Sequence, residues 1–250
     1  MVMLRCVSNF RRLLIKQGIG TNRRNASSLP TSSFMEFQKE WPEKDLKDFL
    51  QDMTVIPNFL SSEEVDKIMQ EIEPYLKRMR YEFDHWDDAI HGFRETERQH
   101  WYPDNKVTIE RIRNIAFRGE ILPHVHILDL AEEGVIKPHV DSVRYCGSTI
   151  AGVSLLSDSV MKLVRIDEKK YQQNPENDYR KQPDKDENST DPGYFANIHL
   201  PQRSLYIMRD SARYNFTHEI LGNNESFFKG RPIKKTRRIS IVCRNKPKDF

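Results

Sequence analysis

Most apolar positions of this chain fall in short runs of strand character. "MTVIPNFL" (53–60) is a brief apolar entry segment, and "VHILDLA" (125–131) alternates apolar with polar. Gly134 marks a turn after it, and "VIKPHVDS" (135–142) resumes. "STIAGVSLLS" (148–157) and "VMKLVRI" (160–166) are two further strands across a short polar break. "SLYIMR" (204–209), "YNFTHEI" (214–220) and "RRISIVCR" (237–244) read as strands again. One segment has a different period: in "SSEEVDKIMQEIEPYLKRM" (61–79), Val65, Ile68, Met69, Ile72 and Leu76 recur at helical spacing. Ser61 with Glu64 forms its capping box, and Pro74 should kink its last turn or start a new one. "VTIERIRNIAF" (107–117) fits a short helix, whereas residues 81–104 are aromatic and charged without a period and read as irregular. Many strands with a capped leading helix point to a closed or sandwich-like β architecture with flanking helices.

Composition changes this picture at two places. Residues 167–193 are charged and amide-rich, with Tyr171 and Tyr179 as the large hydrophobes. Such a segment buries too little surface to offset its ordering entropy, so it reads as a disordered insertion between strands. Residues 1–34 carry five Arg and one Lys and no Asp or Glu, and Ser and Thr gather toward their end. Leu4, Phe10, Leu13, Leu14 and Ile15 beside Arg5, Arg11, Arg12 and Lys16 give a partly amphipathic helix, the pattern of a mitochondrial transit peptide. The whole chain has 40 basic and 37 acidic residues; without the six basic residues of the leader, 34 stand against 37 and the net charge is −3. The remainder, 35–250, reads as one domain that lacks the net positive charge of a nonspecific nucleic-acid binder. No apolar run approaches the roughly 20 residues of a membrane helix. Cys6, Cys146 and Cys243 are too few for a disulfide framework and fit a reducing compartment.

The chemistry concentrates in "IKPHVDS". Residues i and i+2 of a strand share a face, so His139 and Asp141 offer an imidazole and a carboxylate to one ion. Ferrous oxygenases use two His and one carboxylate, and His218 in "NFTHEI", on a predicted strand, can supply the second imidazole. "HWD" at residues 85–87 has the same spacing but lies in a stretch without strand period. A surface or core histidine is the plain alternative for His139, and a partner of Glu219 for His218. In "RRISIVCR", Arg238, Ser240, Val242 and Arg244 share one face, and Ile239, Ile241 and Cys243 share the other. An arginine pointing into a β-barrel needs an anion, and a small dicarboxylate fits; solvated arginines on an edge strand are the alternative.

HxD, a distal His and then Arg on a following strand resemble the iron(II)- and 2-oxoglutarate-dependent oxygenases, with "RRISIVCR" similar to the RxNxTxR element of the AlkB family. The phrases "HILDLAEEGVIKPHVDS" and "SLYIMRDSARYNFTHEI" are close to a mitochondrial branch of that family. The resemblance implies a double-stranded β-helix, or jelly roll, with iron held by His139, Asp141 and His218. It implies that Arg238 and Arg244 hold the carboxylates of 2-oxoglutarate, that Tyr206 donates a hydrogen bond, and that dioxygen is consumed. The Asn-x-Tyr of the nucleic-acid demethylases is here Leu128-Asp129-Leu130, and the inner Asn and Thr of RxNxTxR are Ser240 and Val242. Hydroxylation of a mitochondrial protein in the matrix is therefore expected, and the resemblance implies links to regulated necrosis and fatty-acid metabolism. Demethylation of mitochondrial RNA is the rival, a silent jelly-roll binding module the third possibility, and duplex DNA and membrane insertion are not expected.

Overall fold

The computed structural model describes residues 31–83, 89–166 and 193–247. Ten antiparallel strands form one curled sheet, in the order β1-β7-β6-β9-β4-β12-β5-β8-β2, with β3 added against β4. They are β1 (Met35–Gln38), β2 (Met53–Ile56), β3 (Ile90–Arg98), β4 (Val125–His139), β5 (Thr149–Ser154), β6 (Ser159–Arg165), β7 (Phe195–Leu200), β8 (Leu205–Arg209), β9 (Phe216–Ile220) and β12 (Arg238–Arg244); a separate hairpin pairs β10 (Phe227–Phe228) with β11 (Arg231–Pro232). This is a jelly-roll sheet with few helices. No helix among the described residues is long and apolar enough to cross a membrane.

The two faces of the curl have different jobs. Ile127, Ala151, Val153, Leu205, Ile207, Ile239, Ile241 and Cys243 pack outward beneath α2 (Ser62–Leu76) and α3 (Pro103–Ala116). Leu128, Leu130, Ile150, Met161, Tyr206, Met208, Ile220 and Val242 line the inside. Period two therefore aims Arg238, Ser240, Val242 and Arg244 into the interior, as the strand pattern predicts. The capping box of α2 forms: Ser61 Oγ accepts from Glu64 N at 3.1 Å and Glu64 Oε2 accepts from Ser61 N at 2.8 Å. Arg111 of α3 donates to the same carboxylate at 2.8 Å, locking the two helices together. Pro74 is accommodated in the last turn, and α2 runs on to Leu76.

Two sequence expectations need correction. Residues 81–104 contain strand β3. Its charged side chains point to partners, Arg94 to Asp129, Glu95 to His126 and Arg98 to Glu71, so charge hides the strand period. Gly134 is no turn: β4 runs unbroken through it. A Cβ there would meet Gly92 O at 2.6 Å and His91 O at 2.9 Å, so the glycine lets β3, bulged between His91 and Phe93, approach closely. Strands β1 and β7 and the helix α1 (Glu43–Asp52) were not legible as elements; β1 and β7 are short strands that pair with each other. Of the leader, Thr31–Phe34 form a 3-10 turn with Phe34 buried, and Lys229 Nζ donates to Ser33 O at 2.9 Å. The "HWD" of residues 85–87 and all of the 167–193 insertion but Gly193 lie outside the described residues.

Candidate active site

The three predicted ligands converge. His139 and His218 are direct partners across the β4–β9 ladder, with ring centroids 4.2 Å apart. Asp141 lies just beyond the end of β4, and its Oδ1 is 3.5 Å from the Nε2 of each histidine. The ligand atoms of all three lie within 4.8 Å of one another. His139 Nδ1 is 2.9 Å from Lys137 O; donating there fixes the tautomer that leaves Nε2 with its lone pair. Asp141 Oδ2 accepts from Arg244 Nε at 2.7 Å, which leaves Oδ1 to the histidines. Glu219, the plain alternative partner of His218, pairs instead with Lys162 at 3.7 Å.

The electrostatics suit a divalent ion. Burial alone would raise the Asp141 carboxyl, but the Arg244 charge and the two imidazoles hold it well below the usual carboxylate range. Burial and the neighbouring His139 push His218 down to about 4, so its imidazole is neutral at physiological pH. Burial pulls His139 the same way, but its bond to Asp141 outweighs it and leaves the group raised. Two neutral nitrogens and one monodentate carboxylate on one side of a cavity fit ferrous iron.

The cavity beside this triad is lined by Ile90, Ile136, Met161 and Ile220 and floored by Tyr206 and Arg238. Arg238 is 1% exposed, and no carboxylate pairs with it among the described residues; Nε donates to Ser159 Oγ at 3.1 Å. A buried guanidinium without an anion is costly, and a bound dicarboxylate removes the cost. The two arginines of "RRISIVCR" do not meet: Arg238 sits at the floor and Arg244 at the metal end, on Asp141. Tyr206 reaches the floor because its ring lies over Gly152 of β5, where an added Cβ would be 2.4 Å from Cζ and from Oη.

Sequence reading missed four participants. His126 lines the cavity, 2.8 Å from Glu95 Oε2 and 3.4 Å from Arg244 Nη1. Ser159 and Arg213 carry no periodic signal. Gly152 did have one: a glycine inside the apolar run "STIAGVSLLS" marks close approach. Of the residues standing for Asn-x-Tyr, Leu128 lines the cavity, while Asp129 faces outward between Arg94 and Arg237, each with a nitrogen 2.7 Å from Oδ2.

No family model matches the chain. It is 48% identical over 201 residues to "Alpha-ketoglutarate-dependent dioxygenase alkB homolog 7, mitochondrial" of Mus musculus, covering 79% of this chain and 80% of the mouse protein. The Bos taurus protein of the same name matches with the same identity and coverage. Among solved structures, a Pseudomonas putida prolyl-4-hydroxylase superposes with a TM-score of 0.50 at 10% identity, covering 82% of this chain and 98% of that one, a likeness of fold.

Proposed function

The chain belongs to the mitochondrial alkB homolog 7 family of alpha-ketoglutarate-dependent dioxygenases, and from that premise we propose that it hydroxylates a side chain of a protein in the mitochondrial matrix, with His139, Asp141 and His218 holding iron(II). Iron and 2-oxoglutarate together activate dioxygen, so that a substrate C–H becomes C–OH while the cosubstrate leaves as succinate and carbon dioxide. The protein's own part is placement. Arg238 and Tyr206 take the far carboxylate of 2-oxoglutarate at the floor, Arg244 sets the rotation of Asp141, and the apolar wall of Ile90, Ile136, Met161 and Ile220 keeps water from the reacting centre.

The observation that carries the choice of protein over nucleic acid is the fate of the basic run "RPIKKTRR" (231–238). Lys235 is buried, with Nζ on Ala131 O at 2.9 Å; Arg237 pairs with Glu73 and Asp129; Arg238 faces the cavity; Lys234 is 3.4 Å from Glu132. Of the run's five basic residues, Lys235, Arg237 and Arg238 are thus spent inside the protein, and Arg231 and Lys234 alone stay exposed to meet phosphates. The matrix location is supported by the acid-free leader and by the relatives' names, and the link to regulated necrosis and fatty-acid metabolism belongs to the same reading.

Succinate release from purified protein with iron(II) and 2-oxoglutarate tests it, with mitochondrial protein extract, single-stranded RNA or methylated duplex DNA added in parallel. Stimulation by the protein extract alone is expected, and His139→Ala or His218→Ala abolishes it while the fold persists. Stimulation by RNA alone, with loss of the methyl group, would install the demethylase instead; a chain silent in every arm would leave the binding module.

A further inference from the structure

Arg213 closes the one-turn helix Asp210–Tyr214 and is wholly buried. A guanidinium so placed ordinarily faces a carboxylate. Here none of its hydrogen-bond partners is one. Nη2 donates to Asp141 O at 2.6 Å, Nε donates to Gly147 O at 3.3 Å, and Nη2 also lies 3.0 Å from Cys146 Sγ. Nη1 has no partner among the described residues. All three partners belong to residues 141–147, the segment between β4 and β5.

The far end of that segment is anchored. Gly147 N donates to Asn245 O at 2.9 Å, Thr149 N donates to Asn245 Oδ1 at 2.8 Å, and a Cβ on Gly147 would meet Lys246 O at 2.3 Å. The near end carries Asp141, past the last ladder residue of β4. Arg244 fixes how the Asp141 carboxylate is rotated but does not touch its main chain. On the other side His218 Nδ1 is buried without a partner among the described residues, so no hydrogen bond at that nitrogen fixes its ring.

We propose that Arg213 is a positioning residue for the metal centre: it ties the main chain of Asp141 to the anchored Gly147 end, so that the carboxylate stands in place before the ion arrives. This rests on the reading that His139, Asp141 and His218 hold a divalent cation. The geometry explains why the chain keeps a buried cation without an anion there. One planar fork spans two carbonyls from opposite ends of a loop, which neither lysine nor an apolar side chain can do.

Mn(II) titration of the full chain, followed by the electron paramagnetic resonance of the free ion, tests the proposal. Arg213→Met should raise the Mn(II) dissociation constant about tenfold or more, the usual scale for losing a group that orients a ligand. The visible absorption of the Co(II)-loaded protein should shift as well, since the ligand geometry changes. Arg94→Met, at the outer cluster on Asp129, serves as the control: it lowers the melting temperature and leaves both readouts as in the parent. Arg213→Lys keeps the buried charge without the two-carbonyl span and should weaken Mn(II) to a lesser degree, and it decides the matter if the methionine variant does not fold. An unchanged dissociation constant in Arg213→Lys, or the same loss in Arg94→Met, overturns the proposal. If His139→Ala binds Mn(II) as tightly as the parent, the underlying metal reading fails instead.

Discussion

Gly152→Ala is the smallest perturbation that tests the cosubstrate pocket. The new methyl would stand 2.4 Å from Tyr206 Cζ and Oη and 2.5 Å from Cε1. Carbon atoms rest about 3.5–4.0 Å apart, so the ring has to retreat by about 1 Å or more. The backbone cannot yield easily, because Gly152 is paired with Tyr206 on one side and Val242 on the other. Rotation of the ring is the remaining relief, and it takes the hydroxyl away from Arg238 and from the cosubstrate carboxylate. A hydrogen bond to a charged group is worth about 1.5–3 kcal/mol, or roughly 10- to 100-fold in affinity. Overpacking should also cost about 1–3 kcal/mol of stability. The assay is 2-oxoglutarate binding to the Mn(II)-loaded protein by calorimetry, with Mn(II) affinity measured alongside. The alanine variant should lose 2-oxoglutarate affinity and keep its metal. In a Tyr206→Ala background the methyl has room, so Gly152→Ala should add almost nothing. Additive losses in the double variant, or unchanged 2-oxoglutarate affinity in the single one, would refute the reasoning.

Other outcomes follow from the same geometry. Arg238→Met should raise the Michaelis constant for 2-oxoglutarate on the order of a hundredfold while Mn(II) affinity stays put; an unchanged constant would move the contact to Arg244. Lys235 is pushed down to about 8 from 10.5 by burial and then by the Arg238 charge. The unfolded chain therefore holds more protons between those two pH values, and native stability relative to a Lys235→Met variant should rise across that window. Urea unfolding at several pH values reads this, and a flat difference contradicts it. Deleting residues 1–30 should leave the protein in the cytosol with its melting temperature intact, whereas deleting 1–34 should lower that temperature because Phe34 is removed from its buried site. Continued mitochondrial import, or equal melting of the two truncations, would count against these assignments.

The sheet was legible wherever one face is apolar and the other is not. "RRISIVCR" separates cleanly into a cavity face and a helix face because Ile239, Ile241 and Cys243 are buried in the apolar cluster beneath the helices. The histidines were legible for a related reason: a polar group at a period-two core position has to be spent on something; Asp141 was found by the same spacing although it lies just past the strand. The same logic failed for β3, where Arg94, Glu95 and Arg98 find their partners outside the strand, so its two faces look equally polar. It failed for Gly134 because the reason for that glycine, the passage of β3, lies some 40 residues away in the chain. Arg213 and His126 depend on what the loop and the neighbouring strands bring to them, and no local pattern encodes that.

One consequence concerns Asp129. On β4 its neighbours Leu128 and Leu130 face inward, so the aspartate must face out, into the apolar ground beneath α2. There it binds Arg94, Arg237 and the Tyr81 hydroxyl, the last at 3.1 Å. Arg237 in turn grips Glu73 with both Nη atoms, at 3.0 and 2.7 Å, so the cluster fastens α2 to the strand that ends in the metal centre. Removing Asp129 would leave the buried Arg94 without a carboxylate and Arg237 with Glu73 alone, a loss of about 3–5 kcal/mol. Arg237 of the basic run 231–238 is therefore structural here. The apolar pair that replaces Asn-x-Tyr faces the interior, while the aspartate between them consumes nearby positive charge.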